Sequence, residues 1–313
     1  MKLRITAAGV LFLIFFGQDL LRPEDRSLSI VTTTTDMGYF VGQIAGDRAR
    51  VHSLIRGFDD PHHIEARPDF ILKASKADGF VQVGLDLEVG WSPVLIQQSR
   101  NARIRIGAPG NCDASLGVRI LEKPESTVDR SMGDVHVFGN PHYHTDPLNA
   151  AISSRNIRDM LVRIDPEGSA IYKDKYNRFQ QNLKNLAISE SRKFVPYRGL
   201  KVAVYHREFV YYNNRFGIQE IGSIEEKPGV PPGAAYLESI TRKLKKEDVK
   251  IILLAPWNER KAASRVAVEL GALIVQMPVS VGSEAGIDSY ERLIETMGKR
   301  LRDAADQTGW RKR

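Results

Sequence analysis

The chain has 313 residues, of which 42% are hydrophobic and 27% charged, an ordinary composition for a globular protein with a full core. This length predicts two domains of ordinary size. The net charge of +7 comes from scattered basic residues without an aromatic-rich basic module, so nucleic-acid binding is not expected. The single cysteine, Cys112, excludes both an internal disulfide and a thiolate metal site.

The first 27 residues predict an export signal followed by a short tail. Lys2 and Arg4 precede an apolar run from Ile5 to Phe16, which is the order of a charged n-region and a hydrophobic h-region. The run has about 12 residues, whereas a membrane-spanning helix needs about 20. We therefore expect export to the periplasm, with a buried N-terminal helix of a cytosolic protein as the alternative. No cysteine follows the run that could carry a lipid anchor, so a freely diffusing protein is expected.

Residues 28–164 predict a first α/β lobe. The predicted strands are Ser29–Thr34, Arg50–Ile55, Gly79–Val83 and Arg103–Ile106. The predicted helices are Asp36–Ala45, Pro68–Ala77, Trp91–Ser99 and Leu148–Ile164. Their alternation indicates a parallel sheet with helices on its faces. Residues 107–147 break the pattern, because they are rich in Gly, Pro, Asp, Ser and His, and a loop this long inside a compact domain is usually functional.

Residues 165–195 predict one long helix, and residues 196–313 a second α/β lobe. Apolar residues recur every three or four positions from Glu167 to Phe194, a stretch of about 27 residues that would span about 40 Å as a helix. The strands predicted after it are Leu200–Tyr205, Ile218–Ile224, Lys250–Leu254 and Leu273–Met277. The fold class is therefore α/β, with two lobes that contain parallel sheets and are joined by a long rigid helix.

The histidines are the best candidates for chemistry. All of them except His52 lie in or at the edge of predicted loops. Loops at the carboxyl ends of parallel strands build the binding crevice of α/β sheets, and neutral imidazole is the commonest protein ligand of Zn²⁺. The six loop histidines are His62, His63, His136, His142, His144 and His206.

In the first lobe, two loops are candidates for a metal site. His62 follows a predicted strand, and Glu65 could hydrogen-bond the far ring nitrogen of a ligand histidine. A solvated polar loop is the alternative for this segment. His142 and His144 lie two residues apart, on one side of an extended chain, which makes a surface coincidence less plausible.

In the second lobe, His206 lies at the carboxyl end of a predicted strand, where a surface histidine is the alternative. No histidine follows His206 in the sequence. A further ligand from this lobe would therefore be a carboxylate. Asp288 is the first candidate, although it could equally cap the last helix, and Glu284 is the second.

Together these features resemble the zinc- and manganese-binding periplasmic solute-binding proteins of ABC transporters, the ZnuA/TroA-like group. The resemblance covers essentially the whole chain from Ser29 onward. It rests on Asp-Pro-His62 with Glu65 and Pro68, on Asn-Pro-His142 with Asp146-Pro147, on Tyr-His206, and on Asp288-Ser289-Tyr290. It implies one metal ion in the cleft between the lobes, held by His62, His142, His206 and Asp288.

The resemblance also implies a function. A set of three histidines and one aspartate suits Zn²⁺. Manganese sites in the family more often have glutamate in place of the third histidine, so His206 favours zinc over Mn²⁺ or Fe²⁺. The protein would capture zinc in the periplasm as a monomer and deliver it to an ABC transporter permease, with a periplasmic metallochaperone as a further partner. His63, His136 and His144 would be auxiliary groups. Zinc binding should weaken below about pH 6, because protonated imidazole cannot bind metal.

Two other functions remain as alternatives. His142, His144 and Asp146 match the start of a metallo-hydrolase motif, but Pro147 stands where such enzymes need another histidine, and only His206 remains downstream. A metal-storage or adhesion protein is the second alternative. A transport protein should enclose the metal with four protein ligands, whereas an enzyme keeps one position open.

Overall fold

The computed structural model describes residues 27–124 and 136–310. The export signal predicted from Lys2 to Phe16 lies outside these ranges. Within them, no helix is both long enough and apolar enough to cross a membrane.

The first lobe contains a four-stranded parallel sheet in the order β2-β1-β3-β4. Its strands are β1 (Leu28–Thr32), β2 (Ala49–Ser53), β3 (Gly79–Gln82) and β4 (Asn111–Asp113). Its helices are α1 (Thr35–Ala45), α2 (Pro68–Lys76), α3 (Ser92–Ser99) and α4 (Pro147–Ile164).

Capping residues explain where the helices of this lobe begin. The Thr34 side chain accepts a hydrogen bond from the main chain of Met37 at the start of α1. The Asp146 carboxylate accepts one from Leu148 at the start of α4, where Pro147 occupies the first helical position. These side chains satisfy main-chain donors that have no partner within the helix, and proline has no such donor to lose.

The second lobe repeats the arrangement, with a parallel sheet in the order β6-β5-β7-β8. Its strands are β5 (Lys201–Val204), β6 (Gln219–Ser223), β7 (Ile251–Leu254) and β8 (Leu273–Gln276). The helices that accompany them are α6 (Val210–Phe216), α7 (Ala234–Lys246), α8 (Arg260–Leu270) and α9 (Tyr290–Gln307).

Between the two sheets in the chain lies α5 (Ser169–Lys193), a helix of 25 residues. At 1.5 Å per residue it is about 38 Å long. It packs against α1 and α4 of the first lobe and against α6 and α9 of the second. Its buried residues recur at helical spacing and are Tyr172, Tyr176, Phe179, Leu183, Leu186, Ala187 and Glu190. The predicted α/β fold with a long helix between two parallel sheets is therefore confirmed.

One predicted strand, Arg103–Ile106, is wrong. Residues 102–104 form a 3₁₀ turn, in which the Asn101 side chain accepts a hydrogen bond from the main chain of Arg103. Ile106 is 77% exposed and joins no sheet. The fourth strand is Asn111–Asp113 instead, and its short polar sequence carries no periodic signal.

The lobes touch closely beside the cleft. A Cβ atom on Gly57, in the loop after β2, would lie 2.4 Å from the Val281 carbonyl oxygen of the second lobe. The absence of a side chain at Gly57 therefore allows the two main chains to meet. The loops that follow β2 and β5 come together at this side of the molecule, as expected for the carboxyl ends of parallel strands.

Candidate metal centre

His62, His142 and His206 converge on one point between the lobes. One ring nitrogen of each lies within 4.8 Å of the others. The ring centroids are 5.2 Å apart for His62 and His142, 5.4 Å for His62 and His206, and 5.6 Å for His142 and His206. The first two residues come from loops of the first lobe and the third directly follows β5, so the site exists only when both lobes are in place.

Carboxylates set the orientation of two of these rings. Nδ1 of His62 donates to Asp60 at 2.8 Å, and Nδ1 of His206 donates to Glu225 at 2.6 Å. A hydrogen bond at one ring nitrogen leaves the other free to bind a metal, and a carboxylate partner makes the imidazole a stronger donor. Among the described residues, the buried Nε2 atoms of His62 and His142 have no hydrogen-bond partner.

His142 is held from both sides of the cleft, and only 3% of it is exposed. Its main-chain N–H donates to the side chain of Asn140 at 2.9 Å, and its carbonyl accepts from the Thr145 hydroxyl at 2.9 Å. Asn140 in turn donates to the main-chain carbonyl of Arg207 at 2.8 Å, and its own carbonyl accepts from the Tyr211 hydroxyl at 2.7 Å. The His142 loop is thus tied to the second lobe beside His206.

The surrounding charges favour a cation at this point. Burial lowers the pKa of His206, but the charge of Glu208, the hydrogen bond to Glu225 and the charge of Asp60 outweigh it and raise that pKa to about 9. Burial, together with the neighbouring imidazoles, holds the pKa of His142 well below its usual value. The metal-free site therefore carries a proton on His206 and a neutral ring on His142 near pH 7.

The spacing of the three nitrogens fits a zinc ion after a small contraction. Tetrahedral zinc with bonds of about 2.0–2.1 Å places its nitrogen ligands about 3.4 Å apart. Because the three nitrogens lie within 4.8 Å of one another, they would close by about 1.4 Å at most. A cavity of about 30 Å³ adjoins His62 and His206 and is lined in part by Asp60 and Glu225, a volume that suits an ion or a water molecule.

The structure does not bring Asp288 to the three histidines, which corrects the predicted convergence of four groups. Asp288 is exposed, and its charge contributes to a raised pKa of Tyr39. The neighbouring Ser289 caps α9 by accepting from Arg292. Glu284, the second carboxylate candidate, is also engaged elsewhere, since both of its oxygens accept from Arg300.

Two auxiliary candidates from the His62 loop lie on the surface. Glu65 is exposed, and the role predicted for it is filled by Asp60. His63 is also exposed, with its ring centroid 6.3 Å from that of His62.

His144 and Asp146 hold the lobes together instead of joining a metal site. Nε2 of His144 donates to the Val279 carbonyl at 3.1 Å. Asp146 caps α4 and accepts two hydrogen bonds from Arg215, at 2.7 and 2.8 Å. The hydrolase alternative needs His142, His144 and Asp146 around one ion, and the structure does not place them so.

Sequence reasoning missed Asp60 and Glu225 as partners of the ring nitrogens. Asp60 could have been found, because an aspartate two residues before a candidate ligand is within local reach. Glu225 follows β6, and it meets His206 only because β6 lies beside β5 in the sheet. No local pattern in the sequence carries that information.

The chain is similar to known metal-binding proteins. Residues 30–304 match the family described as "Zinc-uptake complex component A periplasmic". The zinc-binding lipoprotein AdcA of Streptococcus pneumoniae is 26% identical over an alignment that covers 98% of this chain and 62% of AdcA. The chain therefore spans less than two thirds of that relative.

Solved structures share the fold. A crystal structure of ZnuA has a TM-score of 0.75 and 21% identity, covering 89% of this chain and 99% of that one. A manganese-bound periplasmic metal-binding protein from Candidatus Liberibacter asiaticus has a TM-score of 0.72 and 19% identity, covering 88% and 98% of the two chains.

Proposed function

Because this chain belongs to the family of periplasmic zinc-uptake component A proteins, we propose a function in zinc import. The protein captures one Zn²⁺ ion in the periplasm and delivers it to the permease of an ABC transporter. The convergence of His62, His142 and His206 from two lobes is the observation that carries this proposal. The periplasmic location and the permease partner follow from the family. The protein would act as a monomer and bind its cargo without transforming it.

The donor set supports zinc over manganese. Imidazole nitrogens suit Zn²⁺, whereas Mn²⁺ prefers carboxylate, carbonyl and water oxygens. The three groups that converge are all imidazoles, and the nearby carboxylates of Asp60 and Glu225 are occupied by the ring N–H groups of His62 and His206. We therefore favour zinc as the cargo, with Mn²⁺ or Fe²⁺ as the alternative within the same family.

Metal competition tests this proposal. The untagged protein, stripped with a chelator and dialysed, should take up one Zn²⁺ per chain, and an excess of Mn²⁺ should not displace it. The His52→Ala variant is a matched control, because His52 lies exposed on β2 and is not one of the converging histidines. Displacement of zinc by an equal concentration of Mn²⁺ would assign the protein to manganese, and uptake of less than one zinc per chain would count against the site.

We expect zinc affinity to increase with pH between about 7 and 9. His206 has a pKa of about 9 in the metal-free protein, so zinc must displace a proton from it below that pH. The apparent dissociation constant should fall about tenfold per pH unit from pH 7 towards 9 and then level off. His142, whose pKa is lowered, is already neutral and adds no proton in this range.

Titration calorimetry in buffers of different ionisation enthalpy measures this proton directly. Release of close to one proton per zinc at pH 7.5 is the expected result. An affinity that stays constant from pH 7 to 9 would contradict a protonated His206. The pH range over which affinity changes is higher than the range expected for unperturbed histidines, because the carboxylates around His206 raise its pKa.

A further inference from the structure

A fourth imidazole lies against the three-histidine cluster. The ring centroid of His136 is 5.2 Å from that of His62, the same separation as between His62 and His142. His136, His142 and His206 also line one cavity of about 270 Å³. His136 is not part of the group whose ring nitrogens all lie within 4.8 Å of one another.

The ring of His136 is oriented as a metal ligand would be. Among the described residues its buried Nε2 atom has no hydrogen-bond partner, as is also true of Nε2 in His62 and His142. A buried ring nitrogen without a hydrogen-bond partner is free to bind a metal ion.

The loop that holds His136 has an unusual main-chain conformation. Gly84, Leu85 and Asp86 all have positive φ angles, of 86°, 52° and 64°. A leucine in this region is strained, and such conformations concentrate at functional sites. The main chain of Val137, next to His136, interacts with the Asp86 carboxyl, and its effect opposes the larger effect of burial, which raises the pKa of that carboxyl. The turn at residues 84–86 therefore lies beside the segment that carries His136.

We propose that His136 completes the zinc site as its fourth protein ligand, in the position that Asp288 was expected to fill. This inference rests on the proposed capture of zinc by His62, His142 and His206. On zinc binding, Nε2 of His136 closes on the ion and leaves no position for water. The site is then an all-imidazole cage, which favours zinc over manganese more strongly than a site with a carboxylate.

Glu208 is the competing fourth donor. One of its oxygens is buried without a hydrogen-bond partner among the described residues, and the other accepts from Asn258 at 3.0 Å. However, Glu208 lines none of the three cavities that adjoin the histidines, whereas His136 lines the largest of these three. We therefore assign Glu208 the role of a buried charge beside His206. A Glu208→Gln variant tests this assignment separately.

Cobalt(II) substitution tests the proposal, because its visible spectrum reports coordination number and ligand exchange. In the wild-type protein, added thiocyanate should leave the cobalt spectrum unchanged. In His136→Ala, an exchangeable water should take the fourth position, so thiocyanate should shift the spectrum and zinc affinity should fall about 100- to 1,000-fold at one ion per chain. His63→Ala, which removes an exposed histidine of the same cleft, should behave as wild type.

The outcomes separate this inference from the proposed function. A wild-type spectrum that responds to thiocyanate, or His136→Ala indistinguishable from wild type, would overturn the role of His136. An open site in Glu208→Gln but not in His136→Ala would assign the fourth position to Glu208 instead. If His142→Ala retained wild-type zinc affinity, the three-histidine site itself would fail. Thermal melting of the metal-free variants confirms that each one folds.

Discussion

Replacement of His142 by alanine should weaken zinc binding about 100- to 1,000-fold. Four-ligand zinc sites are worth roughly 10–16 kcal/mol, so each ligand contributes about 2.5–4 kcal/mol. His142 is buried, and its Nε2 atom points into the cluster without a partner among the described residues. Competition with a chromophoric zinc chelator measures the loss.

The metal-free form of this variant should unfold at nearly the wild-type temperature, because the Nε2 atom of His142 makes no hydrogen bond within the described structure. Added zinc should raise the melting temperature of the wild type and have much less effect on His142→Ala, since a ligand stabilises the folded state in proportion to its affinity. His52→Ala serves as the control with wild-type behaviour. Wild-type zinc affinity in His142→Ala would remove this residue from the site.

Replacement of Asp146 by alanine should lower the free energy of unfolding by about 3 kcal/mol. Its buried carboxylate caps α4 and forms a two-point ion pair with Arg215 of the second lobe. The variant loses the cap and leaves the charge of Arg215 partly buried without its partner. Urea denaturation of the metal-free protein, followed by two spectroscopic probes, measures the change.

A second variant at Asp146 separates the helix cap from the ion pair, and a variant at an exposed ion pair serves as the control. Asp146→Asn keeps a good cap but loses the ion pair, so it should be less destabilised than Asp146→Ala. Asp303→Ala removes an exposed ion pair with Lys299 and should cause little or no change. Zinc stoichiometry should remain at one in Asp146→Ala, whereas loss of the zinc ion at unchanged stability would revive the hydrolase alternative.

Local sequence patterns predict most of the fold and mark the three converging histidines as candidates, whereas their combination into one ligand set came from the family resemblance. Strand and helix periods alternate clearly, and His62 and His206 lie just after predicted strands, where parallel sheets bring their loops together. The Asn-Pro-His142 segment precedes a helix whose proline and aspartate mark its start. Each of these signals lies within a few residues of the feature that it predicts.

The fourth position depends on tertiary packing, which explains the error at Asp288. The buried ring of Tyr290 packs edge-on against Phe40 of the first lobe at 5.2 Å, and Ser289 caps α9. These two contacts fix the direction in which the chain enters α9, and Asp288 is left on the surface beside Tyr39. His136 lies beside His62, with ring centroids 5.2 Å apart, and no periodic pattern in the sequence signals this contact.

Anomalous diffraction from crystals of the zinc-loaded protein, recorded on both sides of the zinc absorption edge, tests the central claim most directly. We predict one strong peak in the cleft, about 2.0–2.1 Å from the Nε2 atoms of His62, His142 and His206. A zinc peak that is bound elsewhere, or that contacts fewer than these three residues, would contradict the account.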